Sequence, residues 1–320
     1  MSVDPELKAE ADAFSRRIEE RVRAGFVPDL RRATKCTCFY KSFWRDPHFV
    51  KLYLLETVNI LLEMLRRHAG GGQRVLDVGC GAGYISLEFA RAGHHVFGID
   101  ISDKCIEVAK RYRDSITRPE GFGSLEYGVM ALEQVTRPFD CLLFSGMLHH
   151  LQDPGKAICK GLDLLPPGGF VLAYEPCHDE WRTQDAAQVA LIRRLLALTG
   201  FWYESPFELN NGVREFETYV QDVYTEYVTE RDKDEIGGQS PGDNSSSGRQ
   251  ILEALREHLH QLECEPGASF IYRLLGGLRG PDSVVYELAD FLKTYEKYAV
   301  DKGFLNANAF FFLGQKAPVV

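Results

Sequence analysis

The most informative stretch of the chain is an apolar run that leads directly into closely spaced glycines, Val75–Gly83 (VLDVGCGAG). Glycines are needed where a backbone turns tightly and a ligand must approach without meeting a β-carbon. The dinucleotide pattern G-x-G-x-x-G fails because Tyr84 stands at its third glycine, which argues against a nicotinamide-dependent oxidoreductase. A second apolar run ends in Asp100, whose carboxylate can accept hydrogen bonds from both hydroxyls of a ribose.

Titratable side chains follow two further apolar runs. His149 and His150 come after Cys141–Ser145, and Glu175 ends Phe170–Glu175. A neutral imidazole can accept a proton from a hydroxyl near neutral pH, so either histidine is a candidate general base, with a structural role as the alternative. Glu175 could bind a substrate group or cap the turn that follows it. The catalytic candidates are therefore His149, His150 and Glu175.

These residues need a scaffold in which apolar strands alternate with amphipathic helices. The predicted elements are Arg74–Val78, Tyr84–Ala92, Val96–Asp100, Asp103–Arg113, Leu125–Tyr127, Cys141–Ser145, Pro154–Leu165 and Phe170–Glu175. The strands are too apolar to have a solvent-exposed face, which predicts a parallel sheet covered by helices on both sides, the doubly wound α/β class. In such a sheet the ligand lies beyond the carboxyl ends of the strands.

Helical patterning dominates the chain outside this alternation, at residues 52–65 and again over 178–236. The segment Gly237–Gly248 is rich in turn formers and predicts a mobile loop. The later predicted elements are the helices Gln250–His260 and Ser283–Val300 and the strands Gln261–Glu265 and Ala309–Leu313. The chain is therefore divided into an N-terminal helical cap (1–69), a core (70–177 and 249–320) and an inserted helical lid (178–248).

The composition is that of an ordinary globular protein: 320 residues, 45% hydrophobic and 26% charged. The 46 acidic and 37 basic side chains give a net charge of −9, so nucleic acid is not expected as the main partner. No apolar run approaches the roughly 20 residues that span a bilayer, and the first residues lack the apolar block of a secretion signal. We therefore expect a cytoplasmic protein without a membrane span. The sequence predicts no oligomeric state.

Eight cysteines show no C-x-x-C spacing and are expected to be reduced thiols. Cys36 and Cys38 form one pair, and Cys177 precedes His178, but a zinc site needs four ligands at recognisable spacings. We therefore expect no metal site.

The glycine turn and two later landmarks together resemble the class I S-adenosylmethionine-dependent methyltransferases. Phe139–Leu151 looks like the family's fourth strand with its histidine-containing turn, and Leu164–Phe170 looks like the turn into the fifth strand. The resemblance implies a mostly parallel seven-stranded sheet with S-adenosyl-L-methionine as the methyl donor. It also implies in-line transfer of the methyl group to a small-molecule acceptor bearing a hydroxyl, carboxyl or amine. The alternative is a non-catalytic scaffold or regulatory protein that binds the same donor.

The resemblance also implies where the donor binds. In the family the glycine turn wraps the methionine portion, and the acid that ends the second strand holds the ribose. The expected donor-binding residues are Asp77, Gly79, Cys80, Gly81, Gly83, Asp100, Ile101, Met130, Ala131 and Ser145. Where the family commonly has an acid that contacts the adenine amino group, this chain has Val129, so only backbone groups of Met130 and Ala131 are expected to contact the base.

Aromatic and cationic residues of the cap, the lid and the later chain are candidates for the acceptor pocket. They are Tyr40, Trp44, Trp202, Tyr203 and Arg273, the last with Arg279 as a second cationic contact. The cap aromatics could cover the sulfonium or pack as a helix face, and the lid aromatics could line the cavity or form the lid's own core. Residues 204–236 hold ten acidic against three basic side chains, which favours a neutral or cationic acceptor unless the acids are a solvated face.

Overall fold

The computed structural model describes residues 5–36, 42–205, 212–229 and 240–317. The strands in these ranges are β1 (Arg74–Val78), β2 (His95–Asp100), β3 (Ser124–Val129), β4 (Cys141–Ser145), β5 (Phe170–Pro176), β6 (His260–Pro266) and β7 (Ala309–Gln315). They form one sheet in the order β3-β2-β1-β4-β5-β7-β6. Strand β7 is antiparallel to both of its neighbours, and the remaining pairs are parallel. The predicted doubly wound, mostly parallel seven-stranded sheet is confirmed.

Helices cover both faces of this sheet. The helices of the described residues are α1 (Pro5–Arg23), α2 (Pro47–Val50), α3 (Glu56–His68), α4 (Tyr84–Arg91), α5 (Asp103–Ser115), α6 (Pro154–Leu162), α7 (Thr183–Leu198), α8 (Val213–Thr229), α9 (Gly248–His258), α10 (Ile271–Leu274) and α11 (Asp282–Asp301). Helix α2 continues through a π-helical turn, Lys51–Leu55, into α3. No helix among the described residues is both long enough and apolar enough to cross a membrane.

Capping side chains fix where several helices begin after the strands. Ser102 accepts a hydrogen bond from the Cys105 backbone N–H (3.1 Å) and starts α5 two residues after β2 ends. Asp153 caps α6 by accepting from the Lys156 N–H at 3.2 Å. These caps satisfy backbone donors that a helix start leaves open. Because β2 and β4 are both parallel to β1, their carboxyl ends lie at one edge of the sheet.

Buried side chains form three clusters. Alternate residues of β1 face opposite sides of the sheet, so Val75 belongs to the cluster with α3, α4 and α5, and Leu76 to the cluster with α6 and α9. The third cluster lies among α7, α8, α10, α11 and their connecting segments, which we call the helical cover; it includes Trp181, Tyr227 and Phe270, and also Phe49 of α2. Helices α10 and α11, which the sequence division places with the core, therefore bury their apolar faces with the lid helices.

Candidate active site

The glycine turn after β1 has a left-handed backbone at three positions. Gly79, Gly81 and Gly83 have φ of +73°, +52° and +82°, a region that side chains other than glycine rarely adopt. The N–H groups of Gly79 and Cys80 both donate to the carbonyl of Ile99, each at 2.9 Å, which ties the turn to β2. A β-carbon at Gly81 would meet no atom within 4 Å, so the space beside the turn is open.

Asp100 connects the end of β2 to the glycine turn. Its two carboxylate oxygens accept hydrogen bonds from the N–H groups of Gly81 (2.9 Å) and Ser102 (2.8 Å). Burial raises the pKa of Asp100, and these two backbone donors oppose that shift. Each oxygen keeps a second lone pair, so the carboxylate can still accept from a ligand hydroxyl.

Asp77 of β1 supports the glycine turn that follows this strand. It is 2% exposed and accepts a hydrogen bond from the Ser86 hydroxyl at 2.5 Å, which joins β1 to α4. Burial raises the pKa of Asp77 to about 7, with the Ser86 hydrogen bond opposing the shift and nearby Asp100 adding to it. Burial also raises the pKa of the Cys80 thiol, so this cysteine packs as a neutral group.

Two cavities open at the carboxyl ends of β1 and β4. The smaller, about 160 Å³, lies between the glycine turn and α1, and the larger, about 520 Å³, reaches the helical cover. The residues that line both are Phe14, Arg17, Arg21, Tyr84, Ile85, Ser145 and Gly146. The two cavities therefore lie next to each other and share part of their lining.

The predicted donor-binding residues gather at this edge of the sheet. Those that line the smaller cavity are Asp77, Gly79, Cys80, Gly81 and Ser145. Gly83 is the residue before α4. Asp100 and Ile101 lie at the end of β2, and Met130 and Ala131 follow β3. Val129 at the end of β3 is 49% exposed. The backbone N–H groups of Met130 and Ala131 already donate to Asp100 O and Gln134 Oε1, and the Ala131 carbonyl accepts from the Gln134 N–H at 3.1 Å.

Glu175 holds the turn that carries the two histidines. Its side chain is fully buried, and Oε1 accepts from the N–H groups of Met147 (2.9 Å) and Leu148 (3.0 Å). Its Oε2 lies 2.9 Å from Nδ1 of His149, which therefore donates a proton to the carboxylate. Since both oxygens are engaged with the turn, Glu175 is a positioning residue. The His149 side chain also lines the larger cavity.

His150 links the turn to α1 and to residues 240–247. Its Nδ1 lies 3.0 Å from Glu10 Oε1 and 3.1 Å from the Ser240 hydroxyl. Burial alone would raise the pKa of Glu10, but hydrogen bonds from His150, Ser240 and Gly242 outweigh it and lower the pKa. The part of the predicted mobile loop within the described residues, from 240 onward, thus packs against the histidine turn, and its mobility stays a prediction.

An ion-paired cluster closes the far end of the larger cavity. Arg193 of α7 donates to both oxygens of Glu226 on α8, at 2.7 and 2.9 Å, and Arg273 of α10 donates to Glu226 Oε1 at 3.0 Å. Burial alone would raise the pKa of Glu226, but the two guanidinium groups outweigh burial and lower it to about 2.

The predicted acceptor-pocket residues lie around this cavity, apart from Tyr40, which is outside the described residues. Trp44, Trp202, Tyr203 and Arg273 line it. Trp44 and Trp202 are also 8% and 6% exposed, so each packs in a core while one face meets the cavity. The guanidinium of Arg279 donates to the carbonyls of Gly276 and Leu278 and lies over the Tyr203 ring, 5.6 Å from its centroid, and its role as a second cationic contact stays a prediction.

Several cavity residues escaped the sequence prediction. They are Arg17, Arg21, Tyr53, Tyr174, Arg193 and Glu226. The i, i+4 spacing of Arg17 and Arg21 on a helical segment is the signal that could have found the first two. The acidic residues of 204–236 do not make the cavity acidic. Among the described residues, the cavity lining carries four arginines and one carboxylate, that of Glu226.

Comparison with known proteins defines the class to which this fold and site belong. A family described as "Methyltransferase domain" matches residues 48–220. "Ubiquinone biosynthesis O-methyltransferase" of Xylella fastidiosa (strain 9a5c) is 33% identical over 135 residues, 41% of this chain and 53% of that relative. The enzyme of the same name from Actinobacillus pleuropneumoniae serotype 5b (strain L20) is 30% identical over 190 residues, 56% of this chain and 73% of that relative. The chain belongs to the class I S-adenosylmethionine-dependent methyltransferase family.

Two facts limit what the relatives say about the acceptor. The chain spans about half the length of the first of these curated relatives. The crystal structure of the [4+2]-cyclase SpnF covers 100% of this chain and 99% of its own with a TM-score of 0.53 at 18% identity, a likeness that shows the fold alone. Since one fold carries different chemistries, the acceptor has to be argued from the site.

Proposed function

We propose that this protein transfers the methyl group of S-adenosylmethionine to a hydroxyl group of a small-molecule acceptor. The observation that carries the proposal is that the glycine-turn cavity adjoins the larger cavity, which His149 lines. The two relatives from Xylella fastidiosa and Actinobacillus pleuropneumoniae, both named O-methyltransferases, support oxygen as the accepting atom.

We infer that the glycine turn and Asp100 form the donor site. The open space beside Gly81 fits the methionine portion of the donor, and the free lone pairs of Asp100 fit the ribose hydroxyls. The donor supplies a methyl group made electrophilic by the positive sulfur. The tasks left to the chain are to align the acceptor, to exclude water and to take up a proton.

His149 is the group we assign to proton uptake. Glu175 fixes the imidazole through Nδ1, and we assign to Nε2 the uptake of the proton that the acceptor hydroxyl would lose on methylation. Asp243 Oδ1 lies 3.9 Å from this Nε2 and would stabilise the imidazolium that results. The arrangement follows the logic of a base oriented by one carboxylate and stabilised by a second.

The larger cavity indicates the kind of acceptor. Its volume of about 520 Å³ is within the range of small-molecule sites, roughly 300–1,000 Å³. Tyr53 and Tyr174 meet through their hydroxyls (3.2 Å), and Tyr272 stacks against Tyr53 with ring centroids 6.0 Å apart. These rings favour a flat, partly apolar acceptor. We also propose a cytoplasmic location, which the seven described cysteines, all free thiols, support.

Donor binding by the Asp100→Ala variant tests the donor site. Loss of charge-assisted hydrogen bonds to the ribose should weaken S-adenosylhomocysteine binding by about 1–3 kcal/mol, measured by isothermal titration. The matched control is Asp114→Ala, a substitution on the exposed end of α5 that should leave affinity unchanged. Unchanged affinity in Asp100→Ala would refute the ribose assignment.

Transfer itself is tested with labelled donor and panels of small hydroxyl, carboxyl and amine compounds. A labelled ether product supports the proposal and excludes the binding-only alternative. Labelling confined to amines or carboxyls would overturn the choice of a hydroxyl. The absence of saturable S-adenosylhomocysteine binding by folded protein would overturn the proposed function as a whole.

A further inference from the structure

The outer face of α7 carries a row of leucines. Leu191, Leu195 and Leu198 follow one another at steps of four and three residues, so they lie on one side of the helix. They are 52%, 54% and 57% exposed, whereas Asp185 and Arg193 of the same helix are buried in the helical cover. This row is therefore apolar on the side where a surface helix is normally polar.

Helix α11 carries a second exposed row with heptad spacing. Val284, Phe291 and Tyr298 recur every seven residues and are 37%, 64% and 52% exposed. Apolar residues that recur every seven lie in one line along a helix, as do the residues of a coiled-coil seam. Phe304, in the turn after α11, is also exposed, and its ring centroid lies 6.1 Å from that of Tyr298. The apolar row thus continues past the end of the helix.

Gln188 joins α7 to α11 beside these two rows. Its side-chain N–H donates to the Phe304 carbonyl at 2.7 Å, and its Oε1 accepts from the Tyr295 hydroxyl at 2.7 Å. Gln188 lies one turn before Leu191, and Tyr295 lies one turn before Tyr298. Among the described residues, seven of the ten large apolar side chains that are exposed belong to the two rows and Phe304. We call these seven side chains the apolar face, and exposed apolar surface of this kind marks an interaction site.

The size of the apolar face matches what one partner of a stable dimer buries. With roughly 200 Å² for a fully exposed aromatic residue and somewhat less for leucine and valine, the exposed fractions give about 700 Å². One partner of a standard-size interface buries about 800 Å². The remaining area can come from the polar residues around the apolar centre.

The charges of α11 fit a second copy of the same helix. Glu287 is exposed in its N-terminal half and Lys297 in its C-terminal half, where Lys297 pairs with an acid of its own helix at 3.7 Å. An antiparallel pair of α11 helices centred on Phe291 brings this ring against its copy. Val284 then meets Tyr298 of the other copy. Glu287 lies beside Lys297 of the other copy, so opposite charges flank the apolar line on both sides of the centre.

We infer that the protein forms a two-fold symmetric dimer through the apolar face, with its two α11 helices antiparallel about Phe291. The inference goes beyond the proposed function and does not depend on it, because none of the seven side chains of the apolar face lines either cavity. Substitutions in this face should therefore change the association of the chain and leave donor binding unchanged.

Sedimentation equilibrium of the 320-residue chain tests the inference. The wild type should have twice the mass of one chain at micromolar concentrations. Phe291→Lys and Leu195→Glu should each raise the dissociation constant of the dimer at least tenfold, because each places a charge in the apolar centre of the interface. The matched control is Leu7→Lys, which replaces an exposed apolar side chain of α1 and should leave the dimer intact.

Charge reversal tests the antiparallel register. Glu287→Lys should weaken the dimer about tenfold, since it sets like charges beside each other at two symmetric contacts. The double variant Glu287→Lys, Lys297→Glu should recover most of this loss, because the opposite charges are restored with their positions exchanged. A double variant as weak as Glu287→Lys alone would overturn the antiparallel pairing of α11.

Two further results would overturn the dimer itself. One is a wild type that stays monomeric throughout the micromolar range, and the other is a dimer insensitive to both Phe291→Lys and Leu195→Glu. A monomer that cosediments with phosphatidylcholine vesicles, and loses this binding in Phe291→Lys, would assign the apolar face to a lipid surface instead. Thermal unfolding and S-adenosylhomocysteine titration of each variant check that a change in mass is not loss of fold.

Discussion

His149 shows how a single residue acquires its role from its neighbours. An imidazole has two nitrogen atoms, and which of them accepts a proton depends on the hydrogen bond made by the other. Oε2 of Glu175 accepts a hydrogen bond from Nδ1 of His149 at 2.9 Å. The other carboxylate oxygen accepts from the backbone of the same turn. The histidine is thereby fixed in one tautomer and one orientation beside the larger cavity.

The variant His149→Gln should therefore slow methyl transfer without disturbing donor binding. We expect a rate loss of about 10²–10⁴-fold, because proton uptake is lost while the shape of the side chain is roughly kept. Single-turnover rates measured across pH should lose the dependence attributable to an ionising base. His95→Gln, at the exposed start of β2, serves as the control and should behave as wild type. A full rate in His149→Gln would show that the histidine is structural.

The site residues predicted from the sequence differ from those that were not predicted in what positions them. The glycine turn, Asp100 and His149 follow strands directly, so local pattern and strand order were enough to place them. Glu226 and Arg193 are 33 positions apart, and their pairing depends on how α7 and α8 pack, which no local pattern encodes. Tyr53 escaped because a tyrosine on an apolar helix face looks the same whether it meets a core or a cavity.

At the scale of elements, Glu226 joins three helices of the helical cover. It receives Arg193 from α7 and Arg273 from α10, and Arg193 also lies over the Trp202 ring, 5.2 Å from its centroid. The carboxylate thus sets the distance between helices whose inner faces line the larger cavity.

Replacing this carboxylate with an amide should destabilise the protein. We expect Glu226→Gln to lower the free energy of unfolding by about 3–5 kcal/mol, because two guanidinium groups lose a buried countercharge. Denaturant unfolding measures the effect, with the exposed Glu217→Gln of the same helix as control. A difference below about 1 kcal/mol would indicate that the pair contributes as little as a surface salt bridge.

The same carboxylate predicts a pH dependence of stability. The pKa of Glu226 falls from 4.5 to about 2 on folding, so its stabilisation is fully present above pH 4.5 and is lost as the pH falls through about 2. The shift corresponds to roughly 3 kcal/mol. In Glu226→Gln this contribution should be absent, so the stability gap between the variant and the wild type should narrow in acid.

Element prediction succeeded where sequence periodicity was strong and failed where packing decided. The β1 and β4 ranges match the sequence expectation, and the β2, β3 and β5 ranges agree within a few residues. Strand β7, the last in sequence, lies between β5 and β6, and this order is a property of the sheet rather than of any one strand. The short helix α10 and the π turn before α3 depend on the helices around them.

At the scale of the whole molecule, α1 forms one wall of the smaller cavity, in which we propose that the donor binds. Within its described length, Ala13 and Ile18 are the buried apolar side chains, so much of its attachment is polar. Ser15 bonds to the Ser102 hydroxyl (2.9 Å), and Glu10 accepts from the Gly242 N–H (2.9 Å). We expect a donor held between α1 and the glycine turn to enter and leave when α1 moves away from that turn.

Hydrogen exchange should report this movement. Without ligand, amides of α1 should exchange faster than those of β4, because few apolar contacts resist local opening. Saturating S-adenosylhomocysteine should slow exchange in α1 by tenfold or more, since ligand binding stabilises the closed arrangement. The amides of β4 provide the internal reference. Unchanged exchange in α1 on ligand binding would mean that the donor enters by another route.

The separation of buried side chains into sheet clusters and a cover cluster has a consequence for how such a protein diversifies. Trp202, Tyr227 and Phe270 belong to a core that shares no buried member with the cores beneath the glycine turn. Mutations among these buried residues should therefore affect the packing beneath the glycine turn chiefly through Phe43 and Tyr53, which pack against both cores. The helical cover can therefore change in sequence to suit a different acceptor while the glycine turn and its supporting core are kept.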